Sequence, residues 1–223
     1  NLVAPSTLCT IGNMDTTRIL HSDACMAEGA DWLAAREPRF AEVLERYGPP
    51  PLRRRGDGFE ALVTAIVAQQ VSVASARALM GKLEAAGLVT APQIAAVTEE
   101  HLRENGLSRQ KARYVKALAE AGVDYEALRH APEAEVMAVL TALPGIGRWT
   151  AEIYALSALG RPDIFPAGDL ALQEAARILY DLDQRPNERT LRQMALRWSP
   201  WRAVAARLLW ELYRTHKQRE GMI

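Results

Sequence analysis

Two short segments of this chain carry residue types arranged for chemistry. Leu143-Pro144-Gly145-Ile146-Gly147 sets two glycines behind a proline and ahead of the apolar run that follows Arg148. Such a turn can present consecutive backbone N–H groups at the start of a helix, where the helix dipole adds to their pull on an anion. A side chain at 145 or 147 would obstruct an approaching phosphate, which is one physical reason for glycine at both. The same letters also describe an αα-hairpin turn that needs glycine only to bend. The second segment is Phe165-Pro-Ala-Gly-Asp169, whose aspartate stands twenty residues after Trp149 and directly ahead of an apolar helical run. That position reads as a helix N-cap. A carboxylate there can also stabilise positive charge that develops beside it or orient an attacking water. One residue can serve both roles.

The helices that must hold these segments are legible in the apolar spacing. Phe59, Leu62, Val63, Ile66 and Val67 fall at i, i+3, i+4, i+7 and i+8, behind a cap at Asp57 with Glu60 three residues on. A second helix starts at Ser72 and carries Leu79, Met80 and Leu83 before Gly87; a third opens at Ser108 and runs through Val115, Leu118 and Ala119 to Gly122. Residues 132–141, 148–158 and 170–180 read as helices; Asn187 and Ser199 cap the last two helices of the chain, which follow these, with Pro200 in a first turn, where proline is tolerated. No stretch alternates with period two, so the spacing predicts an all-α fold of about ten short helices. The loop Pro49-Pro-Pro-Leu-Arg-Arg-Arg-Gly56 reads as a lobe connection or as the end of an N-terminal helical extension.

Composition removes several classes. At 223 residues, 49% hydrophobic and 24% charged, the chain can bury a core as one unit or two small lobes, and it is neither disordered nor fibrous. No apolar run approaches the roughly 20 residues of a membrane helix. The 27 cations balance 27 carboxylates, so any basic surface has to be local. Arg189–Arg219, with seven arginines and one lysine against Glu211, is either such a surface or a solvated helix face. Cys9 and Cys25 are too few for a disulfide framework or for ligating an iron–sulfur cluster, and they suit a reducing cytoplasm. Asp15, Arg18 and Asp23 interrupt any secretory leader. His21, His101, His130 and His216 show no spacing suited to a metal or a triad.

The segment L-P-G-I-G-R-W-T-A over Leu143–Ala151, with Asp169 behind it, resembles the helix-hairpin-helix DNA glycosylase superfamily, with its Gly/Pro-rich loop and catalytic aspartate. Further blocks are similar to the alkylpurine branch, the 3-methyladenine DNA glycosylase II type. They are Ala65-Ile-Val-Ala-Gln-Gln-Val-Ser-Val-Ala74, Gly106-Leu-Ser-Arg-Gln-Lys-Ala-Arg113 and Arg197-Trp-Ser-Pro-Trp-Arg202. The resemblance spans about residues 57–214 and departs at the front: larger bacterial members carry a β-rich domain there, and this chain has about 56 mostly helical residues. It implies two helical lobes with a cleft between them over residues 31–223, the hairpin at about 132–158, and residues 1–30 as an N-terminal lead. Residues 1–13, ahead of Met14, are expected to carry no structural weight.

The function this resemblance implies is a monofunctional glycosylase of base excision repair. It would flip alkylated bases of the 3-methyladenine and 7-methylguanine type out of double-stranded DNA and hydrolyse the N-glycosidic bond with Asp169. An alkylated purine is already cationic and leaves as a neutral base, so one carboxylate can suffice where ordinary glycosidases pair two. Trp149 and Trp210, with Tyr154, are implied as pocket aromatics; without the resemblance they read equally as core. A cationic base stacked on indole would gain roughly 0.5 to 2 kcal/mol. Gln70 matches the family's wedge position, where some members carry an apolar residue, and otherwise reads as an exposed helix end. Gly145, Ile146, Gly147, Arg148 and Thr150 are implied as DNA contacts. A monovalent cation on the backbone of Thr141, Leu143 and Ile146 is implied too, with no other cofactor required.

Lyase branches of the family attack the sugar with a hairpin lysine. Trp149 stands at that position, and Lys82, Lys111, Lys116 and Lys217 lie outside the segment, so no lyase activity is expected. A monomer acting in the cytoplasm, on the nucleoid in a bacterium or in the nucleus of a eukaryote, completes the expectation. Two rivals stand beside it. One is a non-catalytic hairpin module for DNA binding, which has no use for a carboxylate near a polyanion. The other is a glycosylase of the same fold for another lesion.

Overall fold

The computed structural model describes residues 18–220, and every regular element among them is helical. In chain order these are α1 (Asp23–Ala34), α2 (Pro38–Tyr47), α3 (Phe59–Val67), α4 (Val73–Ala85), α5 (Ala91–Ala95), α6 (Glu99–Glu104) and α7 (Arg109–Glu120). There follow α8 (Tyr125–His130), α9 (Glu133–Thr141), α10 (Arg148–Ser157), α11 (Leu170–Tyr180), α12 (Glu188–Met194), a 3-10 turn (Ala195–Trp198) and α13 (Arg202–Glu220).

Two groups of helices face each other. In one, α7 is the centre, with α3, α5 and α6 packed on it and α4 on α3; α9 and α10 pair beside them, and α10 reaches α3. In the other, α13 is the centre, with α1, α2 and α11 around it. Small residues make the second packing tight: α13 buries Ala203, Ala205 and Ala206 beside Val204, Leu208 and Leu209. A Cβ on Gly29 of α1 would lie 2.6 Å from the Trp201 ring and 2.7 Å from Val204. Trp198 is fully buried, with Phe40 of α2 and Phe165 edge-on to it at 5.4 and 5.3 Å. That contact anchors the loop leading to Asp169 in the second lobe's core.

Ser72, Ser108 and Asn187 cap their helices as the spacing predicts, accepting from Ser75, Lys111 and Thr190 backbone N–H groups at 3.1, 3.3 and 2.9 Å. Two expected caps have other partners. Asp57 instead accepts from Arg129 Nε at 2.6 Å, and that guanidinium holds its carboxyl below the usual range. Ser199 donates to Asp163 at 2.8 Å, and the last helix starts only at Arg202, past Pro200. In both cases a charged partner distant in sequence captures the side chain. The N-terminal boundary also moves. Residues 1–17 lie outside the described residues, but 18–30 are not a lead: Leu20, Met26 and Ala30 are core, and Leu20 N–H donates to Gly160 O at 2.8 Å. The charges that break up the segment sit on its outer side, where Arg18 stacks 4.3 Å over Trp201 and Asp23 accepts from Leu52 N–H at 2.7 Å.

Candidate active site

The hairpin between α9 and α10 closes with Ile146 N–H donating to Leu143 O at 3.1 Å. Its two glycines are there for different reasons. Gly145 lies at φ +84°, and a Cβ would stand 2.3 Å from the Tyr114 ring of α7, so the fold itself demands glycine. Gly147 has φ −78° and open space where its Cβ would project, so neither backbone nor packing requires glycine there. The open side is the one an incoming anion would use. Ile146 and Thr150 are buried, which limits them to backbone contacts; the Arg148 side chain is exposed and donates to Glu152 Oε1 at 3.0 Å.

The end of α3 is tied to this turn by bonds that the spacing did not reveal. Gln69 Nε2 donates to Gly145 O at 2.9 Å, and Lys111 Nζ donates to Val67 O at 2.7 Å, its ammonium pKa lowered by burial. Beyond them Gln70 is exposed at φ +57°, a left-handed conformation that costs a non-glycine residue roughly 1–2 kcal/mol. Val71 and Val73 are exposed beside it. The tip therefore projects a polar residue flanked by apolar ones.

Asp169 caps α11, as the sequence indicated, and does more. Its Oδ1 accepts from Ala171 and Leu172 N–H at 3.0 and 3.1 Å and from Trp210 Nε1 at 3.2 Å. Among the described residues, its Oδ2 accepts from Trp149 Nε1 alone, at 3.1 Å. Three donors orient one oxygen, while the other keeps lone-pair capacity for a further partner. The two tryptophans, one from each lobe, thus meet at the carboxylate through their N–H edges.

Beside them, at the junction of the lobes, is a cavity of about 260 Å³. Trp149 and Ile153 come from α10, Trp210, Arg207 and Arg214 from α13, and Arg53 and Arg55 from the loop before α3. Tyr154 is not in it, which corrects the expectation. It is 5% exposed, and its hydroxyl accepts from Gly58 N–H at 2.8 Å, joining α10 to the start of α3. Each helical residue advances about 100°, so the position five after Trp149 faces away while Ile153, four after, shares its face. A buried Glu152 was also missed: its Oε1 accepts from Arg148 and, at 2.8 Å, from Arg192. Arg192 bridges onward to Glu188, linking α10 to α12.

The basic C-terminal stretch is not a uniform positive face. Arg192, Arg197, Arg202 and Arg214 are ion-paired with Glu152, Glu37, Asp163 and Glu211.

Comparisons with known proteins agree with this architecture. Residues 63–200 match the family described as HhH-GPD superfamily base excision DNA repair protein. The alkylbase DNA glycosidase-like protein mag2 of Schizosaccharomyces pombe is 26% identical over 198 residues, covering 83% of this chain and 93% of the relative. The DNA-3-methyladenine glycosylase 2 of Escherichia coli is 31% identical, covering 75% of this chain and 64% of that one. Among solved structures, a DNA-3-methyladenine glycosidase from Bacillus halodurans superposes with a TM-score of 0.78 at 31% identity, over 85% of this chain and 91% of the other. The Schizosaccharomyces pombe 3-methyladenine DNA glycosylase Mag1, in complex with abasic DNA, gives 0.71 at 26% identity, over 82% and 95%. The two-lobed helical fold, the hairpin and the family match together place this chain in the HhH-GPD superfamily of base excision DNA repair proteins.

Proposed function

We propose that the protein is a monofunctional DNA glycosylase that extrudes alkylated bases of the 3-methyladenine and 7-methylguanine type from duplex DNA and hydrolyses their N-glycosidic bond. The observation that carries this reading is the Asp169 carboxylate, held by two backbone N–H groups and by two indoles that line the cavity between the lobes. A carboxylate so fixed meets a developing sugar cation without reorganising, which is the condition for electrostatic catalysis. Oδ2, the less engaged oxygen, faces the charge or holds the attacking water.

The remaining parts follow from their positions. Gly147 and the backbone N–H groups of Arg148 and Thr150 take a phosphate at the α10 N-terminus, while the Ile146 N–H, bonded to Leu143 O, shapes the turn. Gln70 fills the gap left by the flipped base, with Val71 and Val73 covering the neighbouring pairs. No lysine lines the cavity among the described residues, and Lys111 is engaged at the end of α3, so the reaction stops at the abasic site. The hairpin also fits a monovalent cation. Thr141 closes α9 at the negative end of its dipole, and Leu143 O keeps a second lone pair beyond its bond from Ile146. With Ile146 O these oxygens would hold the ion, which would neutralise phosphate charge at the turn. We place the enzyme, as a monomer, wherever the cell keeps its DNA; no described helix is long and apolar enough to cross a membrane.

Incubation with duplexes carrying one 7-methylguanine, with products resolved before and after alkali, tests the reading. Strand breaks that need alkali are expected. Lesion binding without excision would favour the non-catalytic module, and breaks without alkali would mean a lyase.

A further inference from the structure

The arginine run before α3 has a use that the hairpin and Asp169 do not explain. Residues 51–57 form no helix. Arg53 and Arg55 line the cavity, whereas Arg54 does not and donates to Ala158 O at the end of α10. Two bonds hold the backbone of this segment and the Arg207 guanidinium. Arg55 N–H donates to Ser157 O at 2.9 Å, and Arg207 of α13 donates to Arg53 O at 2.8 Å.

Arg207 then stands 5.5 Å over the Trp210 ring, so a cation already occupies the indole on which an alkylated base was expected to stack. Among the described residues, Arg53, Arg55 and Arg207 form no ion pair, and Glu211, the cavity's own carboxylate, is engaged by Arg214. Burial together with the charges of Arg53 and Arg55 brings the Arg207 pKa down to about 10, which still leaves it protonated at neutral pH. The cavity therefore presents three guanidiniums, unpaired among the described residues, to whatever base enters it.

Such a wall adds nothing to the departure of a positively charged base and suits a second kind of leaving group. When a neutral lesion departs, the C1′–N bond breaks with its electron pair going to the base, and a C1′–O bond forms to water. The proton that water loses ends on the departing base. Before that proton arrives the base carries negative charge, spread over carbonyl oxygens and ring nitrogens that accept hydrogen bonds. Guanidinium donors lining the cavity, with Arg207 anchored on Arg53 O, stabilise that charge as it develops, in the manner of an oxyanion hole. A cationic alkylated purine needs no such help, because it leaves neutral. Resting on the reading of this cavity as the base pocket, we infer that Arg53, Arg55 and Arg207 are specificity determinants that fit the site to neutral lesion bases bearing carbonyl or ring-nitrogen acceptors.

The test uses the full chain in excess over duplexes that carry a single hypoxanthine, as the neutral probe, or a single 7-methylguanine, as the cationic one. Single-turnover excision of both is expected. In Arg207→Gln and in Arg55→Gln, the ratio of the hypoxanthine rate to the 7-methylguanine rate should fall by about tenfold or more, in the range set by removal of one charge-stabilising donor. Arg55 is exposed, so its variant carries the test with folding checked by thermal unfolding even if Arg207→Gln is unstable. An unchanged ratio with equal losses on both lesions would overturn the inference and assign the arginines to phosphate. A wild-type protein that excises 7-methylguanine but not hypoxanthine would overturn it while leaving the proposed activity standing. Excision of neither would sink both.

Discussion

Replacement of Asp169 by asparagine separates the residue's two jobs. Asparagine is as good an N-cap as aspartate. Its amide oxygen can keep the Oδ1 bonds from Ala171, Leu172 and Trp210, so α11 and the loop should hold. The amide nitrogen then replaces Oδ2 and meets the Trp149 N–H, donor against donor, across what was a 3.1 Å bond. Losing that one hydrogen bond to a charged group costs roughly 1.5–3 kcal/mol of stability. Catalysis loses more. A carboxylate about 4 Å from a developing sugar cation, at an effective dielectric of about 20, is worth roughly 4 kcal/mol, or about three orders of magnitude in rate. Single-turnover excision of 7-methylguanine should therefore fall by roughly a thousandfold. Affinity for the lesion duplex should hold or rise, because a negative charge facing a polyanion is gone. A variant retaining more than about a tenth of wild-type excision, a deficit under roughly 1.4 kcal/mol, would remove Asp169 from the chemistry.

Three further outcomes follow from the geometry. Trp149→Phe keeps an aromatic ring and deletes the one donor on Oδ2 among the described residues; excision should drop by about tenfold, as expected for a hydrogen bond to a charged group, and an unchanged rate would make the indole a wall only. The hairpin glycines should behave oppositely. Gly145→Ala forces a left-handed alanine into the Tyr114 ring and should destabilise by roughly 2–4 kcal/mol, read as a drop in Tm. Gly147→Val should leave Tm nearly unchanged and weaken binding to damaged and undamaged duplexes alike. Tyr154→Phe strips the acceptor from Gly58 N–H and should cost about 1–3 kcal/mol in denaturant unfolding, with the ratio of rates on different lesions unaltered; a shift in that ratio would return Tyr154 to the pocket.

What the sequence determined by itself was whatever depends on local spacing. Helical periodicity set the fold class and placed α3, α7, α9, α10 and α11 to within a residue or two, and side-chain caps at Ser72, Ser108 and Asn187 are bonds within one turn of chain. The hairpin and Asp169 were legible for the same reason, and their resemblance to a glycosylase family supplied the chemistry.

Tertiary structure decided everything that depends on which distant groups meet. Asp57 and Ser199 look like caps until Arg129 and Asp163 arrive to claim them. Residues 18–30 look like a lead until α13 supplies the surface on which Met26 and Ala30 pack. Both glycines of the turn read alike in the sequence, and only the Tyr114 ring, thirty-one positions away, separates a packing constraint at 145 from open space at 147. The largest revision concerns charge. A neutral chain gave no sign that Arg53, Arg55 and Arg207, from segments about 150 residues apart, share one cavity while most C-terminal arginines are paired. Charge acts over a few ångströms of space, and no spacing rule along the chain encodes that distance.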